Sequence, residues 1–357
     1  MSIPILSYFS GGGFLDLGFE LEDFNVIWSN EISTEISKIY NSGLSSTLNK
    51  KVQISSNESI SDIQISLLKN NVLSKIDSRI WGIIGGPPCP DFSVGGKNRG
   101  RNGERGKLSQ TYVEHICELQ PPFFVFENVK GLIKTKKHQE FFMELIGILH
   151  KNGYAIDYKL LNALDYGIPQ DRERIIMIGI KKDLYKEIFS KEYKGGLNWF
   201  SWPVAKYPNA KEVFDWTHIN DPEILKTIPD ELKVGTYIMD QERLRMIPNS
   251  GEFFRPKSSK FFEIVEGDTS RKSFKKLHRN RYSPTAAYGN NEVHLHPEQK
   301  RRLSVREALR IQTVPDSYVI NGEVSLSTKF KVIGNGVPVK LANIIAYAVK
   351  EFLKPII

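Results

Sequence analysis

Only two cysteines, Cys89 and Cys117, occur in the 357 residues. That is too few for a disulfide framework or a four-cysteine zinc site, and it points to a reducing compartment. No metal centre is expected. No basic amino-terminal segment leads into a long apolar run, and stretches such as residues 342–349 are far too short to span a bilayer, so a cytoplasmic protein without membrane attachment is expected. Internal repeats and low-complexity tracts are missing as well. Acid is in deficit: 49 Lys and Arg face 41 Asp and Glu, a net charge of +8 that suits an acidic partner, nucleic acid before a membrane surface. What remains, 40% hydrophobic and 25% charged, is ordinary globular composition, and the length exceeds what one core usually supports.

The most informative stretch is Gly85-Gly86-Pro87-Pro88-Cys89-Pro90, directly after the apolar residues 80–84. Two prolines fix φ ahead of the thiol, and the glycine pair lets backbone or ligand approach closely. Cys89 held this way reads as a presented nucleophile, the alternative being a small buried hydrophobe. Cys117, at helical spacing with Tyr112, Val113 and Ile116, reads as core. Residues 94–106 then interleave five glycines with Lys97, Arg99, Arg101 and Arg105, a loop that could close over a polyanion.

Buried strands are expected at residues 3–9, 25–29, 80–84, 123–126, 154–161 and 175–180. Helices are expected from Leu15, from Leu108, over 137–151 and 301–312, and from Val339. This rhythm predicts an α/β fold with a mostly parallel, doubly wound, Rossmann-like sheet. In that setting Ser10-Gly11-Gly12-Gly13 is a strand-to-helix turn of the kind that meets a nucleotide-like ligand. Glu31, ending the second strand, could accept from ribose hydroxyls or simply start a helix. Asp62 could accept from an adenine amine, or cap the segment that follows. Glu127 stands at the carboxyl end of a central strand, where such sheets bind ligands. Arg172 and Arg174 alternate and so share a face, unless they are a solvated edge paired with Asp171 and Glu173.

From Lys181 the rhythm stops. Residues 181–297 read as a second, smaller, irregular domain, with 1–180 plus 318–357 as the catalytic domain and 298–317 connecting them. Arg271, Lys275, Lys276, Arg279 and Arg281, interleaved with Phe274 and His278, suit phosphate and base contacts or form a solvated basic face.

Together these segments resemble the bacterial DNA cytosine-5 methyltransferases, over nearly the whole chain outside residues 181–281. The carrying residues are Phe9-Ser-Gly-Gly-Gly13 with Asp16-Leu-Gly-Phe-Glu20, Asn30-Glu31, Gly86-Pro-Pro-Cys89 with Phe92-Ser93, Arg105-Gly-Lys-Leu108 and Glu127-Asn-Val-Lys-Gly131. Downstream they are Gln170-Asp-Arg172-Glu-Arg174, Arg306-Glu307-Ala308 and Gly334-Asn335-Gly-Val-Pro338. Three positions depart from the family pattern: Pro90 stands where Gln is common, Phe14 where a second paired glycine is, and Trp81 where an acid is.

The resemblance implies S-adenosylmethionine as methyl donor, bound by Phe9, Gly11, Gly13, Glu31, Asp62, Ile63, Leu108 and Asn335. It implies that Cys89 attacks C6 of a flipped-out cytosine in double-stranded DNA, that Glu127 holds N3 and the exocyclic amine, that Arg174 holds O2, and that Arg172 steadies the site. Lys97, Arg99, Arg101, Arg271, Lys275, Lys276, Arg279 and Arg281 are the expected DNA contacts, with sequence read by the second domain as a target-recognition domain. A monomer with a possible cognate restriction endonuclease is expected. The rivals are an RNA cytosine-5 methyltransferase, whose Cys-Phe-Thr signature this chain lacks, a catalytically dead DNA-binding relative, and a cysteine hydrolase using His115, His138 or His150.

Overall fold

The structure is a computed structural model that describes residues 2–88, 104–255, 259–271, 273–286, 288 and 293–357. Cys89, Pro90, Lys97, Arg99 and Arg101 lie outside the described residues.

Six strands form the central sheet: β1 (Ile3–Tyr8), β2 (Phe24–Asn30), β3 (Gly82–Gly85), β4 (Phe123–Val129), β5 (Tyr154–Asn162) and β6 (Glu173–Lys181), in the order β2-β1-β3-β4-β6-β5. The β1–β2, β1–β3 and β3–β4 pairings are parallel, whereas β6 runs antiparallel to both β4 and β5. The central strands read as unbroken apolar runs because both faces are covered. On one face lie α1 (Phe14–Glu20), α6 (Lys182–Phe189) and α13 (Val339–Leu353). On the other lie α3 (Ile65–Asn71), α4 (Glu104–Leu119) and α5 (Lys136–Lys151). Two close approaches fix the packing: the Phe123 ring lies against Gly82 and the Phe124 ring against Gly179, where a Cβ would sit 2.3 and 2.1 Å from ring carbons.

A third core joins α2 (Thr34–Leu48), α11 (Val305–Ile311) and α12 (Leu326–Asn335) to Val234, Ile238, Leu277 and Tyr288 of the irregular region. That region holds the short helices α7 (Ala210–Val213), α8 (Pro222–Thr227), α9 (Gly235–Ile238) and α10 (Gln241–Arg245), and the strands β7 (Lys275–Lys276) and β8 (His294–Leu295). The change of composition at Lys181 does not end the sheet's core, since Leu184, Tyr185 and Phe200 belong to it.

Several boundaries differ from expectation. The helix expected from Leu108 begins at Glu104. The helix expected over 301–312 contracts to α11 because a capping box starts it: the Ser304 hydroxyl accepts from Glu307 N while the Glu307 carboxylate accepts from Ser304 N. The strand expected over 175–180 begins at Glu173, which takes in Arg174 and leaves Arg172 just ahead of it. The stretch Leu326–Ile356 is apolar enough to cross a membrane by length and composition. It consists of α12 and α13, broken at Gly336-Val337-Pro338, and packs largely into the core.

Candidate active site

The turn after β1 runs through left-handed backbone that glycine adopts freely and that is strained only at Phe9. Phe9 has φ 55°, Gly11 56° and Gly13 74°, the left-handed region that ordinary side chains avoid. At Gly13 the choice is also steric, because a Cβ there would meet Leu44 at 2.4 Å and Tyr40 at 2.8 Å. Gly11 is different: only Phe9 O, at 3.8 Å, lies near its missing Cβ, so the turn is open on that side. Ser10 N donates to Asn30 O and Gly13 N to Ser10 O, tying the turn to the end of β2.

Glu31 completes this corner. Its carboxylate accepts from Gly11 N at 3.1 Å and Ser33 N at 2.9 Å. Burial pushes its carboxyl above the usual range, against those two bonds and nearby Lys331. Each carboxylate oxygen retains acceptor capacity, and Ile32, the next residue in the chain, is 64% exposed.

Beneath the turn sits Asp16, fully buried, accepting from the Ser7 hydroxyl at 2.7 Å and the Tyr40 hydroxyl at 2.8 Å. Ser7 in turn meets the Ser10 hydroxyl at 2.9 Å. Desolvation drives the Asp16 carboxyl up to about 6, more than its hydroxyl bonds lower it. Phe14 is core rather than a pocket wall, its ring packed edge-on to Tyr318 and against Gly336. Trp81 packs half-buried against the core that holds α4 and α5.

The remaining residues expected around the donor converge unevenly. Asn335, exposed, ends α12, and Tyr318 ties the same core to the turn by donating to Gly12 O at 2.7 Å. Leu108 lies on α4 one turn before Tyr112, which contacts the Phe9 ring edge-on. Asp62 is exposed at the end of a single 3-10 turn, with Ile63 buried after it. Asn57 and Asn30 bind that segment to the Glu31 corner through Glu31 O and Glu58 O.

Across the sheet's carboxyl edge, register brings Glu127 and Arg174 together. Arg174 pairs with Val129 in the antiparallel β4–β6 ladder, so Glu127, two residues away, is its same-face diagonal neighbour. Arg174 Nε donates to Glu127 Oε1 at 2.9 Å, and both side chains are about nine-tenths buried. Burial raises the Glu127 carboxyl, opposed by Arg174 and Arg172. The other oxygen of Glu127 fills the space where Gly86 lacks a side chain, 2.6 Å from the position of a Cβ. Asn128 Nδ2 donates to Pro87 O at 3.3 Å. The backbone leading to Cys89 is therefore pinned to the strand end that carries Glu127.

Arg172 is fully buried and donates to Gln170 Oε1, Ala286 O and, at 2.8 Å, Gly334 O. It joins the irregular region to the end of α12. Its Nε lacks a partner among the described residues. Neither arginine pairs with Asp171 or the Glu173 side chain, whose carboxylates bind Lys211 and Lys130.

Cys117 is half-buried, and burial pushes its thiol up to about 11, away from the thiolate a nucleophile needs. The hydrolase reading finds no support in the histidines. His115 meets Tyr8 Oη, while His138 and His150 meet the carbonyls of Gly131 and Tyr154.

Of the expected DNA contacts, Arg279 is held by Glu266 at 2.8 Å and by Glu298. Arg271 lies 3.9 Å from Asp268, and Arg281 stacks over Tyr282. Lys275 and Lys276 form β7, both half-buried.

An open glycine turn at one strand end, with a buried acid–guanidinium pair at a neighbouring one on a mixed sheet, is laid out on a Rossmann-like methyltransferase fold. The sequence matches the family described as C-5 cytosine-specific DNA methylase over residues 3–351. It is 44% identical to the Type II methyltransferase M.NmeDI of Neisseria meningitidis serogroup C, covering 98% of this chain and 84% of that protein. It is 34% identical to M.FnuDI of Fusobacterium nucleatum, covering 98% and 95%. Among solved structures, one described as a prophage-encoded DNA modification methyltransferase of E. coli superposes with a TM-score of 0.68 at 25% identity, covering 99% and 100% of the two chains. The S. pombe Dnmt2 methyltransferase shares the fold, with a TM-score of 0.62 at 14% identity and 99% of each chain covered. This chain belongs to the C-5 cytosine-specific DNA methylase family and is a DNA (cytosine-5-)-methyltransferase.

Proposed function

We propose that the protein transfers a methyl group to C5 of a cytosine flipped out of duplex DNA, through a transient bond between Cys89 and C6. The buried Glu127–Arg174 pair against Gly86, directly ahead of the Cys89 segment, carries the reading. Cytosine C5 is a poor nucleophile until a thiolate adds at C6. Glu127, its carboxyl raised by burial, donates to N3 and accepts from the exocyclic amine, neutralising the charge that develops in the ring. Arg174 holds O2. Arg172 acts one layer behind, fixing the carbonyls of Ala286 and Gly334 and adding positive potential at the thiolate. Loss of the C5 proton and expulsion of Cys89 then release 5-methylcytosine.

The residues around the glycine turn fit S-adenosylmethionine: an open cradle at Gly11, a buried carboxylate with spare acceptors for two ribose hydroxyls, and an exposed aliphatic face at Ile32. When bound, that donor supplies an electrophilic methyl on a sulfonium. Phe9, Gly13, Asp62, Ile63, Leu108 and Asn335 complete its pocket. The base leaves the stack at a cost of a few kcal/mol, offset by the loop bearing Lys97, Arg99 and Arg101 and by residues 181–297 acting as the recognition domain. Arg271, Lys275, Lys276, Arg279 and Arg281 touch the duplex there. Its Type II relatives suggest a partner restriction endonuclease.

Covalent trapping tests this reading. Duplex DNA rich in 5-fluorocytosine, incubated with S-adenosylmethionine, gives an adduct stable to denaturation with the wild type. Cys89→Ser gives none. Absence of adduct from folded wild type that binds the same DNA makes the chain a non-catalytic binder instead.

A further inference from the structure

We propose that Lys134, Lys136 and Lys137 form a second phosphate-binding surface that grips the DNA backbone beside the target cytosine. The inference rests on the DNA substrate and adds a contact that none of the expected cations provides. Lys130-Gly-Leu-Ile-Lys134-Thr-Lys136-Lys137 begins three residues after Glu127 and contains four lysines and no acid. It starts at the carboxyl edge of the sheet, where Lys130 bonds Glu173, the neighbour of Arg174. Beyond Lys130 the turn's carbonyls are held by side chains of α5, with His138 Nδ1 3.0 Å from Gly131 O and Gln139 Nε2 donating to Ile133 O at 2.8 Å.

Lys134, Lys136 and Lys137 are all exposed, and none forms an ion pair among the described residues. Arg279 differs, because Glu266 and Glu298 already pair with it. Placement makes the contrast sharper. Lys136 and Lys137 open α5, a helix with no acid in its first turn, so two cations sit at the end that carries the positive macrodipole. That arrangement works against the helix. It becomes favourable when a polyanion lies across it, and a duplex delivering a base to Glu127 brings phosphates to this edge.

The test measures binding of a fluorescein-labelled 30-base-pair duplex to the full protein, saturated with S-adenosylhomocysteine, as a function of NaCl. Each phosphate contact contributes about 0.9 to the slope of log K against log salt. The triple variant Lys134→Ala, Lys136→Ala, Lys137→Ala is expected to lower the slope by about 2 to 3, equally for any sequence, while Lys→Arg at all three keeps it. Lys136→Glu with Lys137→Glu is expected to weaken binding at least tenfold at low salt and yet raise the melting temperature. An unchanged slope in the alanine variant, with wild type binding normally, overturns the proposal alone. Failure of the wild type to bind any duplex overturns the DNA reading itself. Weaker binding joined to a lower melting temperature in the glutamate variant assigns the effect to damaged folding and counts against the surface.

Discussion

Individual side chains carry two opposite uses of burial. Glu127 and Asp16 are both acids pushed up by desolvation, yet Glu127 faces a guanidinium and Asp16 only hydroxyls. Glu127→Gln keeps the shape and loses the proton, so kcat should fall by about two to four orders of magnitude, the usual worth of a general acid. DNA affinity should stay within a few-fold; single-turnover kinetics beside equilibrium binding check both. Asp16 makes a pH prediction. Its carboxyl moves from an ordinary 3.8 to about 6, so between those values the unfolded chain has lost a proton that the native state keeps. Stability contributed by this group therefore falls as pH rises through that window, by at most about 3 kcal/mol at roughly 1.4 per unit. Asp16→Asn should gain relative to wild type as pH rises from about 4 to 6, and hold that gain above. Urea unfolding at several pH values reads the difference, and a flat difference refutes it. Glu127 was legible in the sequence because it ends an apolar run. The Asp16 network was not, since Ser7, Asp16 and Tyr40 meet only after α1 and α2 fold over β1.

At the level of elements, alternation in the sequence located the sheet and its principal helices, but not the direction of β6. A buried apolar run looks the same whichever way it points. Direction matters here, because the antiparallel β4–β6 register is what sets Arg174 diagonal to Glu127. The contact between α1 and α13 was equally hidden. Gly18 permits it: a Cβ there would lie 2.4 Å from Ala342 Cβ and 2.6 Å from Asn343 N. Backbone cannot yield as a flexible side chain does, so Gly18→Ala should cost about 1–3 kcal/mol, measured as a lower urea midpoint with unchanged slope. Gly86→Ala is a companion at the site. It displaces Glu127, and should depress kcat far more than stability.

For the whole molecule, the motif set announced the reaction class, while the irregular region stayed opaque. Its cores are assembled from scattered residues such as Trp216, Ile219, Leu232 and Tyr282, which follow neither helical nor strand periodicity. Which bases that region reads is a property of its surface. Bisulfite sequencing exposes the product and the target in one experiment. A plasmid propagated with the wild-type gene in a methylation-deficient host should keep unconverted cytosines at every copy of one short motif, and full conversion is expected with Glu127→Gln. Complete conversion beside soluble wild-type protein, or protection that survives the Glu127 substitution, would contradict cytosine-5 transfer at this site.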